Sequence, residues 1–220
     1  TLMLQNLTET IHPAGDEPRP LAASDREGPI PDVPLVAILR EFRLDMGIPV
    51  WDFEVDGLRV EKRVVMPYGQ NTVHVIYRVD GPADSSVELA LRPAVHFRSY
   101  EASVMTPQPE SYRLMVEGEH HEVSAGDTLP LLRMSVSGAQ ATFTTDAERI
   151  AQVVYRHEHA RGYDAVGSVW SPGHFRVRLA PGDPVAFIAS TEPWETASSL
   201  ERCARGYWAL SFATRLYPTK

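Results

Sequence analysis

Between Trp51 and Asp80 the sequence allows little besides a β-meander. Trp51, Phe53 and Val55 alternate with Asp52 and Glu54, the period-2 pattern of a strand with one buried face. Asp56-Gly57 follows, and Asp-Gly between two alternating runs predicts a two-residue hairpin, because a type I′ turn needs positive φ at both central positions. The return strand carries Leu58, Val60, Val64 and Met66, with Glu61, Lys62 and Arg63 between, until Pro67-Tyr68-Gly69 interrupts it. A third strand places Val73, Val75, Tyr77 and Val79 on one face and Thr72, His74 and Arg78 on the other. A meander with one apolar face buries it against a second sheet. The stretch therefore predicts an all-β, antiparallel β-sandwich.

The rest of the chain extends that pattern. Residues 1–11 and 35–44 are expected as strands, although the second is too short for periodicity to separate strand from helix. Residues 12–34 are rich in proline, glycine and acid and predict a long loop. Val87 to Phe97 alternates around Pro93, whose missing N–H predicts an edge position or a bulge. A loop is expected over 99–111. Four short strands follow, at 112–116, 119–123, 131–136 and 141–145, and another at 149–157. A long loop is expected over 158–173, then closing strands at 174–179 and 185–190. From Ala197 to Leu216 the pattern turns helical behind a serine cap. Residues 1–195 are thus expected to form the sandwich, and 196–220 a helical linker to another domain.

Composition narrows the partners. The chain has 220 residues and a net charge of −8, which disfavours phosphate backbones and anionic membrane surfaces. Neither nucleic acid nor membrane is an expected partner. One cysteine, Cys203, forms no intrachain disulfide, and a reducing cytoplasmic setting is expected. No secretory leader, phosphate loop, nucleophile elbow or zinc-protease motif is present, and no cofactor is expected.

Three runs carry a family resemblance. WDFEVDGLRVEK with MPYGQNTVHVIYR, LALRPAVHFR at Leu89–Arg98, and RGYDAVGSVWSPGHF at Arg161–Phe175 with Ser190-Thr191-Glu192 after it together resemble the N-terminal domain of bacterial and archaeal type glycogen debranching enzymes (amylo-α-1,6-glucosidases). The match spans most of residues 35–195. The resemblance implies a supersandwich-like fold that precedes an (α/α)6-barrel domain. It also implies that the barrel, with the carboxylic acids for α-1,6 hydrolysis, lies outside these residues. The chain departs from the family at Gly167-Ser168, where acidic residues are common, so a role resting on a carboxylate there would be lost.

The candidate contacts follow from the chemistry of sugars, whose apolar CH faces and hydroxyl rims call for an aromatic platform beside bidentate donors and acceptors. Arg161, Tyr163, Asp164 and Trp170 supply that set. The alternative is an Arg161–Asp164 ion pair that holds the loop, with Trp170 packed on the end of the sandwich. His96 and Arg98 share a strand face with Arg92 and precede Tyr100, so they either meet an oligosaccharide or partner domain or form a solvated face. Trp194 is a sugar platform or a cap on the core. His157-Glu158-His159 and His120-His121 invite a metal reading, but no spacing joins the two pairs, and no metal site is expected.

Three functions follow. The favoured one is a non-catalytic domain that supports the barrel and contributes to α-glucan binding, with no catalytic residue of its own. The second is an independent 4-α-glucanotransferase or glycoside hydrolase using Asp164 with Glu192 or Glu195. That runs against the missing strand–helix alternation of a transferase barrel. The third is a purely structural interaction module.

Overall fold

The computed structural model describes residues 2–13, 17–21, 38–82, 85–138 and 140–199. Most of the proline-rich stretch 12–34, and the part of the expected C-terminal helix beyond Ser199, lie outside the described residues. Among the described residues there are thirteen strands: β1 (Leu2–His12), β2 (Arg19–Pro20), β3 (Leu39–Asp45), β4 (Ile48–Val55), β5 (Leu58–Val65), β6 (Thr72–Asp80), β7 (Val87–Arg98), β8 (Arg113–Glu117), β9 (His120–Ser124), β10 (Leu132–Ser137), β11 (Thr142–Val154), β12 (Val166–Leu179) and β13 (Val185–Ser190). Short helices α1 (Arg156–Ala160) and α2 (Trp194–Ser199) flank β12 and β13. All pairings are antiparallel, in a five-stranded sheet β11-β12-β7-β1-β2 and an eight-stranded sheet β3-β4-β5-β6-β13-β10-β9-β8. The predicted β-sandwich is the fold.

The meander forms as β4-β5-β6, with Val55 opposite Leu58 and Val60 opposite Val79. Asp56 and Gly57 take φ of 49° and 80°, the geometry that the I′ turn demands. Phe53, Val55, Val60, Tyr77 and Val79 enter the core between the sheets. Met66 does not belong to the strand: it lies past the end of β5 and is exposed. Lys62 points inward with Val60 and Val64. Its Nζ lies 2.6 Å from the carboxylate of the fully buried Glu9 on β1, and Tyr77 donates its hydroxyl hydrogen to the same carboxylate. Burial, and then the Glu9 charge, push the Tyr77 phenol well above its ordinary pKa. This polar knot ties the two sheets together through the core.

The outward face of the eight-stranded sheet departs from simple alternation. Asp52, Glu61 and Arg63 are buried there in an ion network. Arg43 bonds Asp52 and reaches Glu61 at 2.8 Å, while Arg59 reaches Asp52 at 2.7 Å. Burial alone would raise the Asp52 carboxyl, but the hydrogen bonds from Arg59 and Arg43 outweigh it and hold its pKa below the ordinary value. Further along the same face, Thr72, His74, Ile76, Ala186 and Ile188 are buried as well.

In the five-stranded sheet one expectation is met by its second alternative and another is corrected. The strand holding Pro93 is not at an edge, since β7 lies between β1 and β12. The irregularity expected there is present instead: the β12–β7 register slips between Trp170↔Val95 and Phe175↔Leu91, which spares a ladder bond that proline cannot donate. The expected loop 158–173 is shorter than predicted. Val166 to Leu179 is one strand, and the slip absorbs Pro172 and Gly173 within it. Its partner β11 is likewise continuous from Thr142 to Val154, with one register shift, between Thr145 and Glu148, where the sequence suggested a break between strands, and a second between Ile150 and Val153.

Candidate functional site

The connection from β11 to β12 is an excursion from Tyr155 to Ala165, closed at its base by Tyr155 N–H donating to the Ala165 carbonyl at 2.7 Å. It opens with α1. Arg161 remains in the right-handed region, and Gly162 turns left-handed at φ 78°. Tyr163 N–H then bonds the Glu158 carbonyl and Gly162 N–H the His159 carbonyl, both at 3.0 Å. This is the Schellman ending of a helix, and Gly162 supplies the conformation it needs. The Arg-Gly-Tyr run thus has a local structural cause: the turn projects Tyr163 and Asp164 from the end of the sheet. His157 and His159 lie on this helix rather than on a strand, so the shared-face argument for a metal pair fails. Among the described residues no group of three or more His, Cys, Asp or Glu side chains could hold a metal ion.

A second loop, after β7, packs against that excursion. Arg98 donates through Nη1 to the Ala102 carbonyl and reaches the Ser99 carbonyl at 3.4 Å. Val104 is buried, and its carbonyl lies where a side chain on Gly167 would have to be. Gln108 donates to Ser168 Oγ at 3.1 Å, and Arg149 holds the carbonyls of Pro109 and Glu110 at 2.9 and 3.1 Å. Gly167 and Ser168 are therefore seats for this loop.

Between the loops lies an open cleft of about 400 Å³, lined among others by Arg98, Tyr100, Ser103, Arg161, Tyr163 and Asp164. Tyr100 and Tyr163 are 77% and 67% exposed, leaving ring faces free to take a ligand. The expected alternative, an Arg161–Asp164 ion pair, is not formed. Asp164 accepts from Ser103 Oγ at 2.8 Å, and Arg161 has no ion-pair partner among the described residues. An unpaired guanidinium, a carboxylate with spare acceptor capacity and two tyrosines are what a hydroxylated ring would need.

The other sequence candidates go elsewhere. Trp170 stacks on Tyr112 at 4.8 Å and 14°, and packs against the main core, away from the cleft. Trp194 stacks on His120 at 3.9 Å and donates Nε1–H to Glu122 at 2.9 Å. His96 is fully buried and offers no surface to a ligand. Burial, and then the Arg98 charge, lower its pKa. Arg92 pairs with Asp146 instead of facing solvent. Glu192 accepts from Asn71 N–H at 3.0 Å, and neither it nor Glu195 lines the cleft that holds Asp164. The carboxylate pair required by a self-sufficient hydrolase is not assembled from those residues. Ser103, which also lines the cleft, was not singled out from the sequence, because nothing periodic or motif-like marks it, and Glu158, read there only as part of a metal motif, lines the cleft too.

Comparison with curated proteins finds no match. Residues 1–186 match the family described as glycogen debranching enzyme N terminal. The match takes in both sheets and the cleft, and the chain belongs to that family of glycogen debranching enzyme N-terminal domains.

Proposed function

We propose that this is a non-catalytic accessory domain of an α-1,6-glucosidase active in cytoplasmic glycogen breakdown. Residues 1–195 form the domain, and 196–220 lead towards a helical catalytic barrel. The domain supports that barrel and contributes to α-glucan binding. The observation that carries the reading is the cleft in which Arg161, without an ion-pair partner among the described residues, stands beside Asp164, Tyr100 and Tyr163. Docking to the barrel is supported by a second feature. Met46, Met66 and Tyr68 are exposed at one end of the eight-stranded sheet. β13 ends there, and the chain runs through Thr191 into α2. Large exposed apolar side chains gathered at one end fit a covered interface.

Titration of the 220-residue chain with a branched maltodextrin, followed by intrinsic fluorescence and by assay of released sugar, tests the proposal. Saturable binding without turnover is expected. Arg161→Ala and Tyr163→Ala should each weaken binding several-fold without shifting the melting temperature. Turnover by this chain would move the chemistry into it. Undiminished binding in both variants would remove the cleft from the reading.

A further inference from the structure

The outward face of the eight-stranded sheet is buried where a sandwich of antiparallel sheets ordinarily meets water. His74 and Ile76 on β6 lie opposite Ile188 and Ala186 on β13. Their neighbours Val75, Tyr77 and Phe187 fill the core between the sheets, so these four point away from it. None of the four is more than 4% exposed. Ile76 and Ala186 form an apolar cluster of their own, joined among the described residues only by partly buried Val65, and all three belong to the sheet itself. Burial to this depth in the middle of a sheet needs a layer above it.

The chain turns onto this face as it leaves β13. Arg133 on β10 donates to the carbonyls of Thr191 and Glu192, both at 3.3 Å. Trp194, the first residue of α2, donates to Glu122 on β9 and stacks on His120. Leu132, Met134 and Val123 face the core, so Arg133 and Glu122, paired at 3.0 Å, stand on the outward side. The start of α2 is thus clamped over β9 and β10. Its Ala197 has no exposed surface. Three residues beyond it comes Leu200, and from there Cys203, Ala204, Tyr207 and Trp208 recur at i+3, i+4, i+7 and i+8, the stripe of an amphipathic helix. Glu201, Arg202 and Arg205 fall between them. From β9 to β6 is three strand spacings, about 14 Å, which about ten residues of helix span. The other candidate cover is 22–37, the link from β2 to edge strand β3. It carries Asp25, Glu27 and Asp32 among prolines, without an apolar period.

We propose that the outward face of β6 and β13 is the docking surface for this chain's own residues 200–208. They continue α2 as an amphipathic helix and set Leu200, Ala204 and Tyr207 against Ile76, Ala186 and Ile188. The stretch after the sandwich is then strapped across its back, and any domain that follows is carried in a fixed direction. The inference uses no residue of the cleft and stands apart from the glucan reading.

Cys203 is the chain's one cysteine and lies within the stripe, so its reactivity reports the docking. In the 220-residue chain it should react with dithionitrobenzoate about 100-fold more slowly than in the urea-unfolded chain. The double variant Leu200→Asp, Tyr207→Asp should restore the fast rate and move the methyl signals of Ile76 and Ile188, while those of Val60 and Val79 in the core stay in place. A fast Cys203 in the unaltered chain overturns the proposal, as does slow reaction in the double variant. If replacing residues 22–34 by a glycine–serine linker moves the Ile76 and Ile188 methyls and the double variant does not, that segment is the cover and the proposal fails. Protection that disappears on dilution would assign the face to a second copy of the chain instead.

Discussion

At Gly167 a side chain would have to occupy the same space as a backbone. A Cβ there would lie 2.4 Å from the Val104 carbonyl oxygen, and a peptide group has no rotamer with which to move aside. The φ at this position is not in the left-handed region, so the constraint is space alone. Gly167→Ala is expected to lift the 99–111 loop and cost about 1–3 kcal/mol, read as a drop in melting temperature. Because Ser103 on that loop holds Asp164, glucan binding should weaken in the same variant. An unchanged melting temperature would show that the loop does not seat there. The same scale explains what a sequence reader could not see. Nothing about Val-Gly-Ser announces that a carbonyl from more than 60 residues upstream presses against it, whereas Asp56-Gly57 announces its turn because both residues act locally through φ.

Elements show the same division. Strands β4, β5 and β6 were legible because adjacent residues set their faces and one short turn sets their register. The long strands β11 and β12 were not, because their bulges satisfy the ladder around Pro172 only once both strands are paired. Nothing in the sequence named a partner for Lys62 until β1 brought Glu9 to it. The Glu9–Lys62–Tyr77 knot holds one strand of the five-stranded sheet to two of the other. Lys62→Met should strand the Glu9 charge in the core and cost about 3–5 kcal/mol, measured as a lower urea midpoint. The triple replacement Glu9→Leu, Lys62→Met, Tyr77→Phe removes every partner together and should recover most of that loss. A triple variant as weak as the single one would show that the knot stabilises the fold beyond what apolar packing supplies.

For the whole molecule, acid is the revealing stress. His74, His96 and His121 are each at most 4% exposed, and burial lowers the pKa of all three. Above about pH 6.5 the imidazoles are neutral in both folded and unfolded chains, and these groups contribute no pH dependence. As pH falls below that, the unfolded chain takes up protons that the folded chain resists, so stability drops. Asp52 and Asp146 have lowered pKa values: arginine hydrogen bonds, joined at Asp146 by His174, outweigh the effect of burial. Their stabilisation persists above about pH 4 and is lost as pH falls through their folded values. Melting temperature should therefore decline in two stages between pH 7 and pH 3. His→Phe variants at 74, 96 and 121 should flatten the first stage alone, and a wild-type profile level from pH 7 to pH 5 would contradict it. The sheets and the inward faces of the meander were legible at this scale. The burial of the outward face around His74 was not, since a strand with alternating polar residues looks half solvated from sequence alone.

The excursion from Tyr155 to Ala165 begins and ends on a single hydrogen-bonded pair, directly above Val154 and Val166. Everything that faces the cleft from this side is thus carried on a segment clipped to the sheet at one point. Such a segment behaves as a replaceable cartridge. Its length and side chains can drift, or be exchanged in the laboratory, while the ladder beneath it keeps its register. Rewriting these eleven residues would change this wall of the cleft and could leave the strands beneath it alone.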